Sequence, residues 1–142
     1  MEGPIVVGTD GSATAAAAVL EATTLAVAFD QPLHIVHAYK PQAIRIDAGP
    51  VGGSPPISSV SIADSLLADV ASRCRSAGAT VEVHSVAGPA TEAILDTAER
   101  VSAGLVVVGN RGIGSARRFV LGNVPSKVVH NAVCSTYVVH TS

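Results

Sequence analysis

The stretch Leu105–Gly109, LVVVG, is the sequence feature that most restricts the fold. It shows no alternation of polar and apolar side chains, which is typical of a central strand covered on both faces. Such strands belong to parallel sheets that carry helices on both sides. The sequence therefore favours an α/β fold.

The composition agrees with a core of small and branched apolar residues. Of the 142 residues 48% are hydrophobic, but the chain has only two Phe, two Tyr and no Trp. A chain of this length buries roughly two-thirds of its unfolded surface around a single core. We therefore expect one domain over residues 1–142, with a core of Val, Ile, Leu and Ala.

Strand and helix patterns alternate along the chain. Apolar runs bounded by turn residues predict strands at residues 4–9, 33–39, 80–86, 105–109 and 135–141. Helical spacing of apolar residues predicts four helices: 12–29, one through 62–74 that stops at Gly78, one from Pro89 to a stop at Gly104, and 123–132 with Asn123 as its cap. This order predicts an open, doubly wound parallel sheet of five strands, in the order 3-2-1-4-5, with helices on both faces.

Residues 41–57 interrupt this alternation. They contain four of the eight prolines and three glycines, and the segment is too long to be a simple connector. We expect a mobile loop that is either functional or disordered.

Charge is distributed unevenly. The net charge of −2 argues against a general nucleic-acid binder. Residues 100–142, however, contain five basic residues and no acid, and three of them (Arg111, Arg117 and Arg118) fall in a glycine-rich segment. This pattern favours a local anion site over an ordinary solvated surface.

The lack of a recognisable targeting signal and the spacing of the two cysteines suggest a cytoplasmic protein. The sequence contains no run of eighteen apolar residues, so no membrane span is predicted, and the N-terminus has no signal-peptide pattern. Cys74 and Cys134 stand sixty residues apart without a CxxC motif, as expected of two reduced, buried thiols.

Two glycine-marked loops follow the strands predicted to lie at the centre of the sheet. They are GTDGS after strand 1 and the spacing Gly109-x2-Gly112-x9-Gly122-Asn123 after strand 4. Ligands of open α/β sheets bind beyond these carboxyl ends, and amides at a helix N-terminus attract phosphate oxygens. Neither the P-loop nor the dinucleotide fingerprint is present. The segment is therefore either a phosphate-binding loop or a structural turn.

The chain resembles the universal stress protein family from VVGTDGS to STYVVHTS. In that family the G-x2-G-x9-G-[ST] signature marks the members that bind ATP, and here Asn123 replaces the usual Ser or Thr. An amide can still donate to phosphate. The resemblance implies an adenine-nucleotide alpha-hydrolase-like, Rossmann-like fold, ATP as ligand, alone or with Mg²⁺, and a homodimer formed through strand 135–141. It also implies a role in the stress response, in which a regulatory protein partner would recognise the nucleotide-bound protein.

The resemblance also implies positions for the nucleotide. Gly8, Thr9 and Asp10 would approach the nucleoside, and Ala38 would contact adenine through its backbone. The remaining residues would surround the ribose and phosphates: Gly109, Asn110, Arg111, Gly112, Ile113, Gly114, Ser115, Gly122, Asn123 and Val124.

Residues for fast catalysis or metal binding are not evident. Asp10 is the only acid beside the expected site, and ATP hydrolysis needs a positioned base and usually a held magnesium ion. The five histidines lie on separate elements or opposite strand faces, so we expect no histidine cluster. We assign no catalytic or metal residue.

Four functions remain open. They are an ATP-binding regulatory protein, a slow ATPase or self-phosphorylating enzyme using Ser115 or Ser126, a cyclic-AMP-binding member, and a dimeric scaffold with an empty pocket.

Overall fold

The protein structure, a computed structural model, describes residues 1–10, 13–39, 59–110 and 121–141. Strands and helices alternate in this part of the chain. They are β1 (Ile5–Gly8), α1 (Ala13–Phe29), β2 (Leu33–Tyr39), α2 (Ser59–Ser76), β3 (Val81–Ala87), α3 (Ala90–Arg100), β4 (Leu105–Gly109), α4 (Asn123–Asn131) and β5 (Ser135–Val139). The expected mobile loop 41–57 lies outside the described residues.

The five strands form one parallel sheet in the order β3-β2-β1-β4-β5, which confirms the predicted architecture. In the centre, Ile5 pairs with Leu33 on one side and with Leu105 on the other. Since all strands run in the same direction, the carboxyl ends of β1 and β4 lie side by side at one edge of the sheet.

The core consists of two apolar layers, one on each face of the sheet. Helices α1 and α2 cover the face formed by residues such as Ile5, Val7 and Ile35. Helices α3 and α4 cover the face formed by residues such as Val6 and Val106. The alternating directions of strand side chains thus place every second residue of β1 and β4 in each layer.

The first three helices end in the same way, with a residue of positive φ followed by the next strand. Gly78 stops α2 at φ 101°, as predicted, and its N–H donates to the Arg75 carbonyl. The predicted stop of α3 at Gly104 is wrong, because Ser102 adopts φ 54° and ends the helix earlier. The N–H groups of Ser102 and Ala103 donate to the last helical turn in a Schellman motif.

Gly104 has a different role, which explains its place in the sequence. Its N–H donates to the Pro4 carbonyl at 2.9 Å, and its Cα lies against the backbone of Glu2 and Gly3. A side chain here would collide with that backbone. The glycine therefore allows close approach of the two chain segments that lead into β1 and β4.

The N-terminus of α4 also differs from the prediction. Gly122, at φ −57° and ψ 163°, is the N-cap, and Asn123 is the first helical residue. The expected capping role of the Asn123 side chain is therefore wrong, because the cap position lies one residue earlier and its occupant has no side chain.

Both cysteines are free thiols, as predicted. Cys74 is buried and accepts a hydrogen bond from Thr23 at 3.2 Å, whereas Cys134 is half-buried and burial raises its pKa. Over the described ranges, no helix is both long and apolar enough to cross a membrane.

Candidate functional site

A cleft opens at the carboxyl ends of β1 and β4, between α1, α3 and α4. The sheet edge and the first turns of the surrounding helices form its surface. Its described lining residues are Gly8, Thr9, Asp10, Ala15, Val36, Ala38, Ala90, Ile94, Val108, Gly109, Val124 and Pro125. Most of them are apolar or expose only backbone, so the cleft suits a flat apolar group next to groups that accept backbone hydrogen bonds.

Gly8 permits the tight packing that shapes the base of this cleft. A Cβ on Gly8 would lie 2.5 Å from Cδ1 of Ile94, which itself is buried at 4% exposure. Ile94 can therefore pack directly against the β1 backbone only because residue 8 has no side chain.

The backbone just after β1 is held by β2. The Thr9 N–H donates to the Val36 carbonyl at 2.9 Å, and Nδ1 of His37 lies 2.9 Å from the Thr9 carbonyl oxygen. Since a carbonyl only accepts, His37 donates from Nδ1. These two bonds fix the direction in which the chain leaves β1, and therefore position Asp10 at the cleft.

Asn110 joins three parts of the chain beside the cleft. Its carbonyl accepts from the Gly122 N–H at 3.0 Å, which brings together the two ends of the segment 111–121. Its side-chain Oδ1 accepts from the backbone N–H and from Oγ1 of Thr141, at 3.0 and 2.6 Å. The Asn110 carbonyl and Oδ1 are thus used to hold protein segments.

Helix α4 begins at the edge of the cleft. The first N–H groups of an α-helix have no acceptor within the helix. Pro125 is the third helical residue and has no N–H, so Asn123 and Val124 supply the amides of this first turn. Together with the helix dipole, they favour an anion at this position.

Charge at the described part of the cleft is negative rather than positive. Asp10 is the single ionisable residue among the described lining residues, and it is exposed. Cationic groups for an anionic ligand would have to come from elsewhere, and Arg111, Arg117 and Arg118 lie outside the described residues.

The structure brings together most of the described residues that the sequence nominated. Gly8, Thr9, Asp10, Ala38, Gly109 and Val124 line the cleft, and Gly122 and Asn123 stand at the start of α4 beside it. Asn110 follows β4 directly, with its side chain bonded to Thr141. The remaining nominated residues lie outside the described part of the chain, and their expected roles stay predictions: Arg111, Gly112, Ile113, Gly114 and Ser115.

The sequence interpretation missed the apolar lining of the cleft. Val36 could have been found from Ala38, because residues two apart on a strand share a face. Ala90 and Ile94 follow from the helical spacing of α3 once that helix is known to cross β1. Ala15, Val108 and Pro125 carry no signal that separates a cleft residue from a core residue.

A second group of side chains contradicts the expectation that the histidines form no cluster. His34 on β2 and His84 on β3 approach each other at 2.9 Å, between Nδ1 and Nε2, and the Glu82 carboxylate lies 3.6 Å from His34 Nδ1. Burial lowers the pKa of both histidines, Glu82 acts in the opposite direction, and the charge of Arg100 adds to the lowering. The expectation was wrong because strand pairing joins residues fifty positions apart.

Comparisons with known proteins agree with this architecture. The family model of the universal stress protein family matches residues 1–140. Universal stress protein Rv1636 of Mycobacterium tuberculosis is 34% identical, covering 97% of this chain and 96% of the relative. A universal stress protein whose crystal structure contains cAMP is 33% identical, with a TM-score of 0.75. The match covers 99% of this chain and 98% of the chain in that structure.

A third similar protein is the universal stress protein from Archaeoglobus fulgidus in complex with dAMP. It is 25% identical, with a TM-score of 0.68 and coverage of 96% of this chain and 97% of its own. The family match extends over nearly the whole sequence, and the relatives are covered almost completely. The chain therefore belongs to the universal stress protein family.

Proposed function

We propose that the protein binds an adenine nucleotide in the cleft at the carboxyl ends of β1 and β4, with ATP as the nucleotide. The observation that carries this proposal is the pairing of an apolar crevice with the first amides of α4 at its edge. The crevice suits a base, and the amides suit a phosphate. The cAMP and dAMP complexes of similar proteins support an adenine nucleotide in general.

ATP is favoured over smaller nucleotides by the glycine spacing that ends at Gly122 and Asn123. The hydrogen bond between Gly122 and Asn110 joins the two described residues that flank the rest of this glycine spacing, beside the cleft. Charge-assisted hydrogen bonds contribute roughly 1.5–3 kcal/mol each. Several such bonds, less the entropy lost on binding, correspond to a binding free energy of about −8 kcal/mol, which is a micromolar Kd.

Cyclic AMP is the second candidate ligand, and a specific observation supports it. Pro125 removes one donor from the first turn of α4, so the described part of the site offers amides for one phosphate group more readily than for three. The similar structure at 33% identity contains cAMP.

Isothermal titration of nucleotide-free protein with ATP, ADP, AMP and cyclic AMP separates these candidates. Each nucleotide is titrated with and without Mg²⁺, and denatured protein is first checked for carried-over nucleotide. We expect ATP to bind most tightly. Tighter binding of cyclic AMP would favour the second candidate, equal affinity for ATP and AMP would exclude a role for the γ-phosphate, and no heat with any of them would contradict nucleotide binding.

We further propose that two copies pair through β5 and that a regulatory protein partner reads the nucleotide-bound state. Strand β5 is the last strand of the sheet, and one of its edges has no partner strand within the described chain. Tyr137 of β5 is 37% exposed, and Val133, two residues before the strand, is 77% exposed. An open strand edge with apolar side chains is suited to pairing with a second copy in a two-fold dimer.

A further inference from the structure

Three side chains that can bind metal ions share one face at the β3 edge of the sheet. His34 and Glu82 are paired across β2 and β3, and His84 lies two residues after Glu82 on the same strand. Residues two apart on a strand point to the same face, and this is the face that α3 packs against. The topology therefore gathers the three side chains without help from a flexible loop.

None of these three residues is among the described residues that line the nucleotide cleft. On β2, His34 is the second residue, whereas Val36 and Ala38 line the cleft, and Val36 pairs with His84 of β3. Two and four residues of strand correspond to about 7 Å and about 13 Å. The cluster therefore lies next to the inner end of the cleft and uses none of the described residues that line it.

We propose that His34, Glu82 and His84 bind a divalent transition-metal ion such as Zn²⁺. Two imidazoles and one carboxylate form a His₂Glu donor set, which holds zinc with a further position left open. Imidazole also suits copper, nickel and iron, whereas Mg²⁺ and Ca²⁺ prefer all-oxygen sites.

The distances require only small movements. One ligand atom from each of the three residues lies within 4.8 Å of the other two. Two nitrogens on a tetrahedral zinc ion lie about 3.3 Å apart, so the His34 and His84 nitrogens, at 2.9 Å, must separate by a few tenths of an ångström. The Glu82 side chain is 69% exposed and can swing in to complete the site.

The protonation of the pair is compatible with binding. At 2.9 Å, one of the two contacting nitrogens carries the hydrogen and the other a lone pair. When that hydrogen moves to the opposite nitrogen of its ring, both contacting nitrogens carry a lone pair and no proton is released. A rotation of the two rings then directs both lone pairs at one ion. Metal ligation requires neutral imidazole.

Two charged side chains near the cluster have opposite effects on the binding of a cation. The Arg100 guanidinium, which donates to Thr97 Oγ1 at 3.4 Å, acts on both histidines and opposes a cation. Glu82 acts on the same rings with the opposite sign. In this proposal Glu82 both ligates the ion and offsets the charge of Arg100.

The test is titration of EDTA-treated, nucleotide-free protein with ZnCl₂ by calorimetry, with MgCl₂ in a parallel run. We expect one Zn²⁺ site per chain with micromolar affinity and no Mg²⁺ binding. His84→Ala and Glu82→Gln alter half-buried or exposed side chains and should keep the fold, as checked by circular dichroism. Each should weaken Zn²⁺ binding at least about tenfold, since even loss of an outer-shell partner costs this much.

The matched control is His140→Ala, which removes an exposed histidine remote in sequence from the cluster and should bind Zn²⁺ like the wild type. Absence of Zn²⁺ binding by the wild type would overturn the proposal. Equal Zn²⁺ affinity of His84→Ala and the wild type would also overturn it, because the ion would then sit elsewhere, for example on a thiol. ATP titration of the same variants should be unchanged, so the two proposals can fail separately.

Discussion

At the scale of single residues, Gly8 links the packing of the core to the shape of the cleft. The same residue ends β1, lines the cleft and leaves room for Ile94. Ile94 belongs to the apolar layer beneath α3 and also faces the cleft. A change at either position therefore alters both stability and the volume available to a ligand.

We expect Gly8→Ala to weaken ATP binding and to cost about 1 kcal/mol of unfolding free energy. The new methyl group would lie 2.5 Å from Ile94 Cδ1. To relieve this contact, either α3 must shift away from β1 or the Ile94 side chain must turn into the cleft. Titration calorimetry and urea unfolding measure the two effects.

The double variant Gly8→Ala/Ile94→Val is the control for this explanation. Valine lacks Cδ1, so the double variant should regain part of the lost affinity, and its stability loss should be smaller than the sum of the two single losses. Strictly additive losses, with no regained affinity, would mean that the contact between residues 8 and 94 is not the cause.

Gly122 is the second residue at which a side chain should affect binding more than folding. Its φ of −57° is accessible to any residue, but a Cβ would lie 3.3 Å from the Asn110 carbonyl oxygen and 3.4 Å from Pro125 Cγ. We expect Gly122→Val to fold and to bind ATP at least about tenfold more weakly, because it separates the ends of the segment 111–121.

Gly122→Ala provides a graded comparison, since it adds a single methyl group. Its ATP affinity should lie between those of the wild type and Gly122→Val, with thermal unfolding recorded for all three. Wild-type ATP affinity in Gly122→Val would show that the glycine spacing is only a structural turn.

At the scale of elements, Asn110 connects β4 to the end of the chain after β5. Its Oδ1 accepts both hydrogen bonds from Thr141, in addition to the strand pairing of β4 and β5. The Asn110 N–H also donates to the Val139 carbonyl. The residue that follows β4 thus fastens the edge strand β5.

We expect Asn110→Ala to lower the unfolding free energy by about 1–3 kcal/mol, as two hydrogen bonds of roughly 0.5–1.5 kcal/mol each are lost. Thr141→Val removes only the hydroxyl bond and should cost about half as much. Urea unfolding at constant m-value measures both, and Asn110→Asp, which keeps an acceptor oxygen, is the control. Asn110→Ala with the stability of the wild type would contradict this role.

The sequence predicted the elements and the strand order well, and contacts between distant side chains poorly. The uninterrupted run of β4 and the stop at Gly78 are local signals, and both were confirmed. The end of α3 was misplaced because Ser102 takes a positive φ that glycine usually occupies, so Gly104 gave the stronger signal. The His34–His84 contact depends on the register between β2 and β3, which neither strand encodes alone.

The same distinction applies to the candidate site. Gly8, Asp10 and Gly109 were found because glycine and acidic residues after a strand are recognisable signals. Ile94 was missed because a cleft-lining isoleucine on a helix has the same pattern as a core isoleucine. Its second role follows only from the crossing of α3 over β1, which is a tertiary contact.

At the scale of the whole molecule, the outer edge of β5 determines whether two sheets can join. In a strand, the N–H and C=O groups of alternate residues point to opposite sides. The Val139 carbonyl accepts from Asn110, next to β4, so the backbone groups of Ser135 and Tyr137 also face β4. Those of Thr136 and Val138 therefore face the outer edge, where a second copy would pair.

If two copies pair through β5 as proposed, we expect Thr136→Pro to be monomeric and folded. Proline removes the outward N–H of residue 136 and leaves the hydrogen bonds between β4 and β5 intact, and edge strands tolerate proline at such positions. Thr136→Val keeps the N–H and should remain dimeric, whereas Tyr137→Pro removes an inward N–H and should destabilise the sheet itself. Sedimentation velocity gives the mass of each variant, and circular dichroism its fold. A wild-type monomer, or a Thr136→Pro variant that is as dimeric as the wild type, would exclude pairing through this edge.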